Sequence, residues 1–376
     1  MQELTAHDNK KRAPFPFEQI DIFKEVHSTS SPGLQLQYIR QTATHFQDWF
    51  RKTGVVSAFA SFDLITLPYP TRYGLWRATK SPSPFLWFTN RMFIVQWKAH
   101  GRTWTLLNEP SDYELGANTP FYVSLMKKYG DYVSNHLLAK RHGTVETHLQ
   151  SVGLRPEDID FITYDHLHTQ DIRRWVGTTK SQADHATNEP LQAYFPKAKL
   201  IVQQKEWDVL HSLHPLQSIW YQPSTFHDIP KDRLLFIDGD VLLGPGVALI
   251  WTPGHTEGNH SLVVHTDTGI WVSSENAISA ECLNPSQSSL PGLRSYAKTS
   301  GLEVVINGNT LEHTARQYNS VVLEKLMSDP SKNNPHMRQF FPSSELTGHP
   351  LSPGTKPSFR HLQVAYGTIQ QPHGVQ

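Results

Sequence analysis

Apolar residues return at helical spacing through "LQLQYIRQTATHFQDWFRK", and that period predicts an amphipathic helix near the start of the chain. The texture changes at "FLWFTNRMFIVQWKAHGRTWTLLNEP" (85–110), where aromatic and β-branched residues dominate and "AHGR" interrupts them. This pattern predicts a β-hairpin. A helical pattern follows in "TPFYVSLMKKYGDYVSNHLLAKRH". Then "VETHLQSVGLRPEDIDFITYDH" reads as helix, glycine stop, loop and strand. "AKLIVQQKEW" (198–207) reads as a strand running into a helix. "DRLLFIDGDVLLGPGVALIWTPGH" (232–255) predicts two or three strands broken at Gly-Asp and Gly-Pro, and "SLVVHTDTGIWVSSEN" (261–276) a hairpin turning at "DTG". "LEVVINGN" (302–309) is expected to add one more strand. Residues 1–84 read as an extension, with the turn-rich "LPYPTRYGLWRATKSPSP" crossing the surface. Residues 329–376, rich in Pro, Ser, Asn and Gly, are expected to form a poorly packed tail, with an extended arm packed on the main domain or on a partner as the alternative.

The chain has 376 residues, 38% hydrophobic and 18% charged, which is enough for a sizeable core. Lys+Arg and Asp+Glu each number 34, so net charge gives no footprint for nucleic acid or an anionic membrane. Cys282 is the single cysteine, which excludes an intramolecular disulfide and a thiolate zinc cluster. The first residues carry no apolar run of signal-peptide length, and no stretch of about 18 apolar residues suggests a spanning helix. The expectation is a cytoplasmic protein acting on a small molecule, with a homo-oligomer compatible.

The candidate chemistry lies in "YDHLHTQDIRR" (164–174). His166 and His168 are two apart, and an extended chain would point both imidazoles the same way. Three further probable strand ends carry a potential ligand: His255 in "TPGHTEGNH", Glu275 in "VSSEN" and His313 in "NTLEHTA". Each alone is weak: a lone His-x-His pair is more often structural, and Glu275 alone reads as a surface carboxylate. Their order carries the weight. Arg173 and Arg174 could grip an anionic substrate group, though a surface ion pair is their plainer reading. His260 and Asp165 are read as supports for the ligands, Trp175 and Trp207 as core. Cys282 has no base nearby in sequence.

The order of these blocks resembles the metallo-β-lactamase fold superfamily. "EDIDFITYDHLHTQD" matches that family's first metal block up to His168, and "LIWTPGHTEGNHSLVV" matches its second, with His255 at the ligand position. Glu275 falls at the bridging Asp and His313 at the last His, while "FPKAKLIVQQKEW" looks like the lactone-hydrolysing branch. Over about residues 85–325 the resemblance implies an α+β fold, a four-layer αββα sandwich preceded by an N-terminal extension. The chain is then expected to divide into a core domain at 85–328, an extension at 1–84 that is a lid or an oligomer contact, and a tail at 329–376, the resemblance itself saying nothing of the extension or the tail. The resemblance also implies a metal-dependent hydrolase acting on a carboxylic ester or lactone. A phosphodiester or thioester hydrolase, or a metal- or ligand-binding protein without hydrolysis, are the alternatives.

The chain departs from the family at Gln170-Asp171, where the pattern is Asp-His, and at Glu275. The resemblance leaves His166, His168 and His255 as an intact first metal site. Asp171, His313, a bridging Glu275 and, weakly, Gln170 would form a second. Two divalent ions are then expected, zinc with iron or manganese at the oxygen-rich second position, and Asp171 as the proton shuttle. A single ion in a dinuclear fold is the competing outcome.

Overall fold

The computed structural model describes residues 17–130, 138–185, 188–222, 224–309 and 311–371. The expected first helix is α1, Pro32–Thr53, whose buried positions Gln35, Ile39, Ala43, Phe46 and Phe50 form one stripe at helical spacing. Pro32 fits the first turn, where its missing N–H costs nothing. Of the helix expected from "TPFYVSLMKK", α2 covers Pro120–Tyr129, and residues 131–137 lie outside the described residues. The remaining helices used below are α3, Val145–Ser151, α4, Gln204–Val209, and α5, Thr314–Met327.

The aromatic hairpin forms as β3, Phe85–Ala99, and β4, Arg102–Asn108. His100 and Gly101 both have positive φ, as a two-residue turn between right-twisting strands requires. The larger sheet has nine strands. Its main path runs β14 (Ala365–Gly367), β2 (Ala58–Pro70), β3, β4, β6 (Phe161–Thr163), β7 (Lys199–Gln203) and β8 (Leu234–Ile237). β13 (Ser344–Thr347) joins β3, and β5 (Lys140–Arg141) joins β2. The smaller sheet has five strands in the order β1 (Glu18–Gln19), β9 (Val241–Gly244), β10 (Val247–Trp251), β11 (His260–Thr266) and β12 (Gly269–Ser273).

The two-residue alternation of strands explains the layers. On β10 and β11, Val247, Leu249, Leu262 and Val264 share one apolar cluster with Phe93, Val95, Leu106 and Ile201 of the larger sheet. That cluster is the space between the sheets. The intervening residues Ala248, Ile250 and Val263 belong to the other cluster, with Ile39, Phe46 and Phe50 of α1 and with Val321 and Val322 of α5. On β3, β4 and β7, Met92, Ile94, Leu107, Leu200 and Val202 also face outwards, towards Val145 and Leu149 of α3. The protein is an α+β fold with two face-packed sheets between helical layers, an αββα sandwich.

Three sequence expectations change. The boundary at residue 84 falls inside the larger sheet, because β2 pairs with β3 from Ala58↔Gln96 to Pro70↔Phe85. Pro68 and Pro70 hid this strand. Both lie beyond the stretch that β5 and β14 pair on its other side, where a missing donor is tolerated. Residues 302–309 form no strand. Val304, Val305 and Ile306 are buried, but Val305 and Asn307 donate singly to Cys282 and Asn276 rather than to a ladder.

The tail is a packed arm rather than a loose one. It adds β13 and β14 to the larger sheet and buries Phe340, Phe341 and Leu346. Its polar composition is offset by a charge anchor. Arg91 on β3 is fully buried and donates to Glu345 at 2.9 Å and Asp63 at 3.1 Å, with Phe341 against its guanidinium. Arg360 donates to the same Glu345 carboxylate. Removing one partner of a buried pair leaves the other uncompensated. Glu345→Ala should therefore cost about 3 kcal/mol in urea unfolding and open residues 329–371 to limited proteolysis. A loss below about 0.5 kcal/mol, the range of ordinary surface changes, would show that the arm is not held this way.

Candidate metal centre

β6 ends at Thr163, and the next residues carry His166 and His168 into the cleft at the edge of the larger sheet. Opposite them, the turn between β10 and β11 presents His255 from the smaller sheet. That turn depends on Gly254, which has φ +144° and lies so close to α5 that an added Cβ would sit 2.2 Å from the Gln317 Cα. Asn276 accepts the His255 N–H at 3.2 Å and is itself held by the buried Glu324 at 2.7 Å.

The three imidazoles meet nearly edge to face. Ring centres are 4.6 Å apart for His166–His168, 4.3 Å for His166–His255 and 5.0 Å for His168–His255. One nitrogen from each lies within 4.8 Å of the others. Hydrogen-bond partners assign the tautomers. The His166 Nδ1 is bonded to the Asp165 carboxylate, and the His168 Nε2–H donates to Gln217 Oε1 at 2.8 Å. These bonds leave the His166 Nε2 and the His168 Nδ1 as lone pairs, the latter 3.3 Å from the His255 Nε2. In the metal-free chain the His255 Nε2–H can donate to the His168 Nδ1, and with that proton released the three ring nitrogens, all within 4.8 Å, form a donor set that fits a divalent metal.

The electrostatics agree. Burial, then the neighbouring His166 charge, holds both His168 and His255 well below the usual imidazole range. Burial also opposes a charge on His166, but Asp165 overrides it and raises this imidazole to about 9. The cluster favours a single positive centre. Burial raises Glu275 to about 7, against the pull of His166, and its Oε1 lies 3.8 Å from the His255 Nε2. Glu275 follows β12 and faces the same cavity.

Asp171 and His313 do not reach this cluster. Thr169 has φ +61°, an uncommon conformation for a β-branched residue, and it turns the chain sharply after His168. Asp171 then accepts the Arg173 N–H at 3.1 Å, its Nε at 3.0 Å and its Nη2 at 2.6 Å. Both carboxylate oxygens are taken by one guanidinium. Gln170 lines the cavity and donates to the Ser111 hydroxyl at 2.8 Å. His313 heads α5, 29% exposed at its side chain, 3.6 Å from Glu257. Arg173 also binds Asp184, and Arg174 binds Asp112 and Glu146, so neither arginine is left to grip a substrate anion.

Four supports were not singled out from sequence: Gln217, Glu206, Glu109 and Ser343. Glu206 accepts the N–H of Leu167 at 2.8 Å, and Ser343 of the arm donates to Asp165 at 2.7 Å. Glu109, with φ +57°, accepts the Asp165 N–H at 2.5 Å. Only Glu206 left a signal, a carboxylate three positions after the end of the apolar strand "LIVQ".

The cavity above the imidazoles has a volume of about 480 Å³. His166, His168 and Glu275 form its polar end; Tyr69, Phe88, Tyr122, Leu125 and Trp220 supply apolar wall. Leu67, Pro68 and Tyr69 of the expected lid segment contribute as part of β2, fixed in the sheet.

An αββα sandwich whose strand ends bring three buried imidazoles together fits the resemblance to the metallo-β-lactamase superfamily that the sequence blocks carry. No family model matches the chain. Among curated proteins it is similar to an N-acyl homoserine lactonase of Bacillus cereus, 27% identical over 142 residues, or 37% of this chain and 46% of the relative. A second, from Bacillus sp, is 30% identical over 141 residues with the same coverage. The chain thus spans about half the length of the curated relatives it matches. Among solved structures it is similar to AidC, a dizinc quorum-quenching lactonase, at 14% identity and a TM-score of 0.46, over 81% of this chain and 95% of that one. An N-acyl homoserine lactone hydrolase with a product bound at its catalytic metal centre gives 17% identity and a TM-score of 0.43, over 65% and 87%.

The Asp171–Arg173 pair predicts how Asp171→Asn behaves. The buried guanidinium loses its bidentate partner, and Asp184 compensates only in part. Stability should fall by about 3 kcal/mol in urea while bound metal per chain stays constant. Loss of a metal equivalent from a chain of unchanged stability would place Asp171 among the ligands.

Proposed function

We propose that this protein is a metal-dependent hydrolase that directs water at a carboxylic ester or lactone, with a single divalent ion held by His166, His168 and His255. The observation that carries this reading is the convergence of imidazole nitrogens within 4.8 Å at the closed end of an apolar cavity. Three neutral nitrogen donors suit zinc, and the nearby oxygen groups that would hold a second ion are engaged elsewhere. A zinc ion so held supplies Lewis acidity towards a carbonyl and towards water at neutral pH.

The chain's own groups account for the rest. Asp165 and Gln217 fix the tautomers that leave the correct nitrogens free. Glu275, beside His255 and open to the cavity, is the carboxylate placed to take a proton from water and return it to the leaving oxygen. This role passes to it from Asp171, whose oxygens are occupied. Tyr69, Tyr122 and Trp220 hold an apolar substrate and limit bulk water around the reacting bond. Arg141 is the only Lys or Arg among the described lining residues, which supports an ester or lactone over a phosphodiester. A cytoplasmic setting belongs to this reading. Among the described residues no helix is long and apolar enough to cross a membrane, and the single cysteine is buried.

The test is metal content with a substrate panel of lactones, linear esters, thioesters and phosphodiesters. Wild-type protein should carry about one zinc per chain and turn over lactones or esters. His168→Ala should lose the metal and at least about 1,000-fold in kcat/KM, the scale of removing an essential catalytic component. Full activity in that variant would overturn the reading, and two zinc ions per chain would restore the dinuclear alternative.

A further inference from the structure

The carboxylate of Glu206 has no part in the mechanism above, yet it touches both halves of the metal centre. It stands on α4 and is 1% exposed. Its Oε1 accepts the N–H of Leu167, the residue between His166 and His168, at 2.8 Å. The same oxygen accepts the Tyr221 hydroxyl at 2.9 Å. Its Oε2 accepts the hydroxyl of Thr256, the residue after His255, at 2.5 Å. The Tyr221 ring in turn lies 4.6 Å from the His168 imidazole. The turn carrying His255 rests on the start of α4 so closely that a Cβ at Gly258 would sit 2.1 Å from the Glu206 nitrogen.

We infer that Glu206 is a positioning residue that sets the metal affinity of the triad by clasping the segment of His166 and His168 to the segment of His255. The need for a clasp follows from topology. Two ligands come from the larger sheet and the third from the smaller, and the apolar space between the sheets fixes no distance to a fraction of an ångström. A carboxylate suits the task because its two oxygens accept from three donors and bring no competing donor of their own. The inference rests on reading the triad as a metal site, and its test measures metal binding and folding separately from hydrolysis.

The experiment is zinc affinity by competition with a chromophoric chelator, alongside urea unfolding of the metal-free chains, for wild type, Glu206→Leu, Glu206→Gln and Thr256→Val. Glu206→Leu and Thr256→Val should bind zinc about ten- to a hundred-fold more weakly, as when groups supporting a ligand are removed. Glu206→Gln keeps an oxygen for Leu167 and Tyr221, and should fall between them and wild type. If Glu206→Leu does not fold, Thr256→Val carries the same test with little change of shape. Variants that unfold more easily but bind zinc as tightly as wild type would make Glu206 a purely structural residue and overturn the inference. A wild-type chain that takes up no zinc would overturn the metal reading itself, and this inference with it.

Discussion

Three buried imidazoles bring their ring nitrogens within 4.8 Å of one another, an arrangement that suits one shared positive charge. Much of the surrounding structure serves that arrangement. Asp165, Glu206 and Glu275 all favour the charge at His166; Asp165 and Glu206 are buried and Glu275 is half-buried. Burying carboxylates is costly unless hydrogen bonds and an opposite charge compensate. Asp165 accepts from His166 and Ser343, and Glu206 from Leu167, Tyr221 and Thr256. The carboxylates and the triad are electrostatically complementary.

The sandwich places these groups because strand ends are the stiffest points from which a side chain can be offered. β6 is only three residues long, yet it is paired on both sides, by β4 and β7, so the chain that leaves it towards His166 starts from a fixed point. The opposing turn is fixed differently, by close approach. Gly254 and Gly258 let it lie against α5 and α4 at distances no side chain allows. The arm completes the enclosure, with Ser343 on Asp165 and Glu345 on Arg91 two residues apart. A segment with little apolar content is thus held by charge at one point and by strand pairing on either side of it.

Much of this was legible in the sequence. The apolar period of α1, the aromatic hairpin and the "TPGHTEGNH" turn each owe their form to local rules, and local rules can be read from neighbouring residues. Asp171 shows where such reading ends. Its pairing with Arg173 is local, but its turning away from the triad depends on Thr169 adopting a left-handed conformation, which nothing in "HLHTQD" demands. The strand β2 was hidden by prolines whose harmlessness depends on how much of the strand's outer side is paired. The arm was hidden by composition, because Arg91 and Glu345 lie 254 positions apart and meet only in the fold. What escaped were long-range polar contacts, which have no periodicity.

The exchange at Gln170-Asp171 has a physical logic of its own. A metal ion compensates a carboxylate only while it is bound, whereas a guanidinium is charged at every relevant pH and never dissociates. By pairing Asp171 with Arg173, and Arg173 further with Asp184, the chain ties the segment after His168 into a charge network independent of metal loading. Gln170, being neutral, can face the cavity without adding a charge that would need a cation of its own. The segment from His166 to Val176 therefore divides in two. On the proposed reading its first three residues would gain their balance from a metal held with His255, while the remainder carries its balance within itself. Under that reading a dinuclear pattern would give up the ligands of one ion and keep the arrangement of the other.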